Sequence, residues 1–124
     1  MDYIATPGAP KAIGPYSQAI LANGVLYTSG QISLDPQTGE LVPGDFTAQA
    51  NRVFDNLAAV LKEAGSGFDR VLKATVYVTD LANFATLNTI YADYFGTHKP
   101  ARTTVQVSGL PKGAQVEIDL IAMA

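Results

Sequence analysis

The chain has 124 residues, 48% of them hydrophobic and 15% charged, which suits one ordinary domain spanning 1–124 and excludes a disordered polypeptide. Without cysteine there is no disulfide, thiolate nucleophile or cysteine-bound metal, and the single histidine, His98, cannot build a zinc site alone. The net charge is −3 and the eight Lys and Arg are scattered singly, a poor footprint for nucleic acid.

Residues 1–15, rich in Pro, Gly and Ala, read as an extended arm and loop. The acidic start Met1-Asp2-Tyr3-Ile4 is unlike a signal peptide, and no apolar run approaches the ~20 residues of a membrane span. The cytoplasm is the expected address.

Ser17–Leu21 and Val25–Ile32 read as strands joined by Asn23-Gly24, a tight-hairpin signal. Asp35-Pro36-Gln37-Thr38-Gly39 reads as a turn. The period then changes. Phe46, Ala50, Val53, Phe54, Leu57, Val60, Leu61 and Ala64 form one apolar helix stripe, with Asp45 as N-cap and Gly65 as stop. Val71–Thr79 alternates as a strand, with Leu72, Ala74, Val76 and Val78 expected on one side. Asp80 opens a second helix with the stripe Leu81, Phe84, Leu87, Tyr91, Tyr94 and Phe95, ended by Gly96. Ala101–Val107 and Gln115–Met123 read as strands around the turn at 109–113.

The order β-β-α-β-α-β-β predicts an α+β fold, one mixed sheet with two helices on a single face. In the last strand Val116, Ile118, Leu120 and Ala122 face one way, yet Ile121 and Met123 on the other side are also apolar. A strand apolar on both faces is usually covered on both, so a second subunit is expected over the open face.

The last two strands carry the most informative pair. With Val105, Val107, Ile118 and Leu120 taken as the core face, alternation places Arg102, Thr104 and Gln106 on the opposite face with Glu117 and Asp119. A hairpin pairing Val107 with Ala114 sets Thr104 opposite Glu117, and Arg102 diagonal to it. Two readings stay open from pattern alone. The charges decorate a solvated sheet face, or Arg102 forks a substrate carboxylate while Glu117 handles a proton or a water.

Other candidates are weaker. Gly-x-Ser-x-Gly is absent, one His makes no convincing Ser-His-Asp triad, and Gly65-Ser66-Gly67 lacks the lysine of a phosphate loop. His98 reads as a surface residue, and Tyr91, Tyr94 and Phe95 as core. Tyr16, in a loop behind Pro15, reads equally as loop packing and as the wall of a pocket.

Five motifs in register then carry a resemblance over nearly the whole chain: Gly14-Pro15-Tyr16-Ser17-Gln18-Ala19, Tyr27-Thr28-Ser29-Gly30-Gln31-Ile32, Lys73-Ala74-Thr75-Val76-Tyr77-Val78, Pro100-Ala101-Arg102, and Leu110-Pro111-Lys112-Gly113 with Val116-Glu117-Ile118. Together they resemble the RidA/YjgF family of reactive-intermediate deaminases. The resemblance implies a chorismate-mutase-like fold, and a homotrimer whose sheets form a barrel with active sites between subunits. It also implies cofactor-free and metal-free hydrolysis of 2-iminopropanoate and 2-iminobutanoate to 2-keto acids and ammonia. Carried over by position, Arg102 clamps the carboxylate, Glu117 activates water and Tyr16 walls the pocket. Gly30 and Thr104 offer backbone groups, and Asn88 adds a polar contact. Thr104 stands where many members have cysteine, and Thr103 where smaller residues are commoner. A non-catalytic ligand binder or holdase using the same clefts is the alternative, with an RNA-cleaving enzyme behind it for want of a basic surface.

Overall fold

A computed structural model describes all 124 residues. Six strands form one sheet: β1 (Asp2–Ile4), β2 (Ala19–Ala22), β3 (Val25–Thr28), β4 (Val71–Val78), β5 (Ala101–Gln106) and β6 (Val116–Met123). The helices are α1 (Phe46–Glu63) and α2 (Phe84–Phe95). The expected order holds, with one addition. Asp2–Ile4, read as part of a loose arm, pairs antiparallel with β2. Three residues are too short to show a period of two, which is why the strand is invisible in the sequence.

Local chemistry accounts for most boundaries. Asn23 and Gly24 both take positive φ, 52° and 76°, as the tight turn between β2 and β3 requires. Asp45 caps α1, its carboxylate accepting from the Ala48 N–H at 3.0 Å. Gly65, at φ 76°, lets the chain leave that helix. Asp80 accepts from the Ala82 N–H at 2.9 Å and caps a short 3₁₀ turn that leads into α2.

The stripe of α1 packs as expected: Phe46, Ala50, Val53, Phe54, Leu57, Val60 and Leu61 are buried in one cluster with Leu87, Ile90 and Phe95 of α2 and the inner face of the sheet. Tyr91 and Tyr94 join its edge, as anticipated. Leu81 and Phe84, at the start of the second stripe, are 45% and 39% exposed. In β4 a register shift between Val71 and Lys73 swaps the expected phase at one end. Val71 is buried there, while Leu72 is 46% exposed.

The largest departure is the strand order, β1-β2-β3-β6-β4-β5. The last two strands do not form a hairpin. β5 runs parallel to β4, and β6 enters between β3 and β4, antiparallel to both. Parallel neighbours need a long crossover, and α2 supplies it. The residues at 109–113 therefore span β4 instead of closing a tight turn.

Candidate active site

The strand order redistributes the side chains. Arg102 is level with Ala74 and, through it, with Leu120; Thr104 is level with Val76 and Ile118. Ala74, Val76, Ile118 and Leu120 are all buried beneath the helices, so Arg102 and Thr104 point to the helix-covered side. Glu117 is level with Tyr77, and Tyr77 with Val105, which sets Glu117 on the open side. The expectation that Arg102, Thr104 and Gln106 share a face with Glu117 and Asp119 is thus overturned. Val105, taken as core, is 38% exposed on the open face. Gln106 turns to the helix side, where its Oε1 accepts from the Leu81 N–H at 2.9 Å.

Two half-sites result. In the first, Arg102 on the edge strand β5 is held by α2. Its Nη1 donates to Asn88 Oδ1 at 2.8 Å, and its guanidinium lies 4.8 Å from the Tyr91 ring centroid and 5.5 Å from that of Phe84. Phe84, Asn88 and Tyr91 follow one another at helical spacing, so one face of α2 builds the whole cradle. Asn88 is neutral, so this contact orients the fork without cancelling its charge. Burial pushes the Tyr91 hydroxyl's pKa up, with Arg102 opposing it. The Tyr91 and Thr104 hydroxyls are both buried and have no hydrogen-bond partner within the chain.

The second half-site is a cavity of about 810 Å³ whose lining includes Tyr16, Gly30, Gln31, Lys112 and Glu117. Tyr16 is 55% exposed and also lines a neighbouring cleft beneath the N-terminal arm. Gly30 packs against the Glu117 carboxyl: a Cβ there would stand 2.8 Å from Glu117 Cδ, so any side chain would push that carboxyl aside. Glu117 is half-buried, and its pKa is raised above the usual carboxylate range by burial and then by the nearby charge of Asp119. No three His, Cys, Asp or Glu side chains are grouped as for a metal ion. His98, half-buried, bonds through Nε2 to the Val71 carbonyl at 2.7 Å and ties down the end of α2.

Known proteins decide the family. The family model described as Endoribonuclease L-PSP matches residues 6–124. The chain belongs to this family, the RidA/YjgF group.

Relatives within the RidA/YjgF family cover almost its full length. A protein of Bos taurus named 2-iminobutanoate/2-iminopropanoate deaminase is 48% identical over 97% of this chain and 88% of its own. A RutC family protein of Pyrococcus abyssi is 50% identical over 98% and 95%. Among solved structures, RidA from an Antarctic Psychrobacter matches with a TM-score of 0.96 at 43% identity, covering both chains fully. Escherichia coli TdcF, solved with bound serine, matches at 0.94 with 42% identity, covering 100% of this chain and 99% of that one.

In this RidA-family chain the six anticipated residues divide between the two half-sites: Arg102, Asn88 and Thr104 in one, Tyr16, Gly30 and Glu117 in the other. The sequence reading missed the platform residues Phe84 and Tyr91, although their spacing to Asn88 was visible. It also missed Gln49 and Asn56. These sit on the apolar side of α1, 4% and 0% exposed, two turns apart. Asn56 Nδ2 donates to the carbonyls of Ile32 at 3.3 Å and Leu34 at 3.0 Å. Gln49 Oε1 accepts from the Ser33 hydroxyl at 3.1 Å and the Gln115 N–H at 2.9 Å. Through these bonds α1 anchors the segment after Gly30 and the entry to β6, both next to Glu117.

Proposed function

We propose that this protein hydrolyses reactive 2-imino acids to 2-keto acids and ammonia, in sites formed between copies of the chain in a homotrimer. The observation that carries the reading is Arg102: a guanidinium oriented by Asn88 and two aromatic rings at the sheet edge, with a neutral partner and its charge free for a carboxylate. The deaminase names of several relatives supply the reaction class. Glu117 lies on the other face of the same sheet, so one chain cannot offer both groups to one small molecule. A neighbouring copy docked on the open face supplies the second half.

In the reaction, Arg102 holds the carboxylate and the imine carbon faces Glu117 of the adjoining copy. Water adds to that carbon; its proton passes to the Glu117 carboxylate, and the C=N π pair moves to nitrogen. The carbinolamine then collapses. Glu117 returns its proton to the amine; as the C–N bond breaks, a lone pair of the hydroxyl oxygen forms C=O, the hydroxyl proton passes to the Glu117 carboxylate, and ammonia leaves a 2-keto acid. A carboxyl that holds its proton more tightly than usual is suited to both transfers. Tyr16 walls the pocket, and Gly30 leaves room for the carboxyl. No metal or organic cofactor takes part in this scheme.

The test generates 2-iminopropanoate with an amino-acid oxidase and traps the remaining imine with semicarbazide. Wild type should suppress semicarbazone formation. Arg102→Ala should lose it by ~10²-fold or more through substrate misplacement, and Glu117→Gln should lose turnover while still binding a keto acid. Unchanged trapping by wild type removes the reading for this substrate and favours ligand binding without chemistry.

A further inference from the structure

On the open face of the sheet Glu117 and Asp119 stand two residues apart on β6, which places their carboxyls about 7 Å apart along one face. Both are half-buried. β4 presents Tyr77 level with Glu117 and Thr75 level with Asp119. Tyr77, the diagonal cross-strand neighbour of Asp119, favours the ionised form of that carboxyl. The surrounding elements offer few counter-charges. Lys73 of β4 lies further along the same face, level with Ile121, and its ammonium is bonded to the Thr103 hydroxyl at 2.7 Å. β3 contributes Tyr27, and β5 contributes Thr103 and Val105. The cavity wall around Glu117 adds Tyr16, Lys11 and Lys112.

Two carboxyls so placed titrate as a pair, because ionising one makes ionising the other costlier. Burial pushes both upward. The asymmetry lies in Tyr77, which stabilises the ionised form of Asp119 alone.

Deepening the reading above, on which it rests, we propose that Asp119 is a positioning residue: standing beside Glu117 on the same face of β6, its carboxylate makes Glu117 a stronger base and so sets the pH at which water can be activated. Asp119 itself touches no substrate in this scheme. It acts only through Glu117.

The experiment follows the Glu117 side-chain carboxyl by ¹³C NMR across pH, assigned with Glu117→Gln, in intact wild type and Asp119→Asn. The acid limb of kcat/KM for 2-iminopropanoate is recorded on the same samples. Asn keeps the shape and removes the charge. The expected result is a Glu117 titration at lower pH in Asp119→Asn, with the acid limb moving by the same amount and KM at neutral pH changing less than about twofold. Tyr77→Phe, which keeps both carboxyls, should move the Asp119 titration up and that of Glu117 down. It serves as the measurement if Asp119→Asn folds poorly. An unmoved Glu117 titration overturns the proposal, as does a moved titration with a stationary acid limb. A moved titration in a protein whose wild type has no turnover supports the coupling and instead removes the imine-hydrolase reading.

Discussion

A single missing side chain shows how tightly the second half-site is built. Gly30 lies against the Glu117 carboxyl, and no positive φ demands glycine there; the requirement is space alone. Gly30→Ala should therefore fold with little loss of stability yet displace Glu117. The expected cost is about 10²-fold in kcat/KM, the scale of an ångström-sized misplacement of a catalytic group. Steady-state kinetics beside a thermal melt checks this; full activity would mean that the Glu117 position is not critical. Arg102 illustrates the opposite strategy. Its position depends on what surrounds it, since Asn88 and the rings of Tyr91 and Phe84 leave the fork few orientations.

At the scale of elements, α1 does more than cover the sheet. Its apolar stripe supplies the packing, while Gln49 and Asn56 reach through to backbone groups of the segments on either side of Glu117. Asn56 also accepts from Arg52 Nε at 3.0 Å, which fixes its amide plane. Removing the amide strands the Leu34 carbonyl at a fully buried position, whereas the Ile32 carbonyl keeps the Leu34 N–H. Asn56→Ala should destabilise the fold by about 2–3 kcal/mol and loosen the strand of chain from Gly30 to Leu34. Chemical denaturation measures the first effect, and faster amide exchange at Gln31 the second. A loss below about 0.5 kcal/mol would show that water replaces the amide without cost. α2 has a parallel double role, as the crossover joining β4 to β5 and as the cradle of Arg102.

For the whole molecule, the decisive fact is that Arg102 and Glu117 occupy opposite faces of one sheet. If a site joins them across two copies, inactive variants should rescue one another. An equimolar mixture of Arg102→Ala and Glu117→Gln, unfolded together and refolded, should recover about one quarter of wild-type turnover, since each site draws its halves at random from two chains. No recovery would place both groups in one chain's site. The open face also carries a pH signature. Glu117 and Asp119 have pKa values raised in the folded state, so the folded protein binds more protons than the unfolded chain between the two sets of values. Their stabilising share is complete below the ordinary carboxylate range and is lost as pH rises through the raised values. Asp119→Asn should therefore gain in melting temperature relative to wild type on going from pH 4 to pH 7. A constant difference would show that the pair is not linked to folding.

Local chemistry in the sequence was enough for the elements themselves. Asn23-Gly24 specifies its turn because both residues must take positive φ, Asp45 specifies the start of α1 by capping it, and the stripe from Phe46 to Leu61 has no other packing at a period of 3.6. The alternation from Val116 to Ala122 was equally legible, while the six candidate residues as a set came only from the resemblance that five motifs in register carry. The pairing of strands was not. Nearness in sequence favoured a hairpin of β5 with β6, and Val105 and Val107 looked like a core face. In the folded chain β4 lies between those strands, with β5 parallel to it and β6 antiparallel. Since side chains alternate, a change of neighbour and phase moves a whole strand from one face to the other. Which residues line a strand is local, but which face they share is set by partners far away in the chain. That choice, made by the sheet as a whole, put Arg102 on one side and Glu117 on the other.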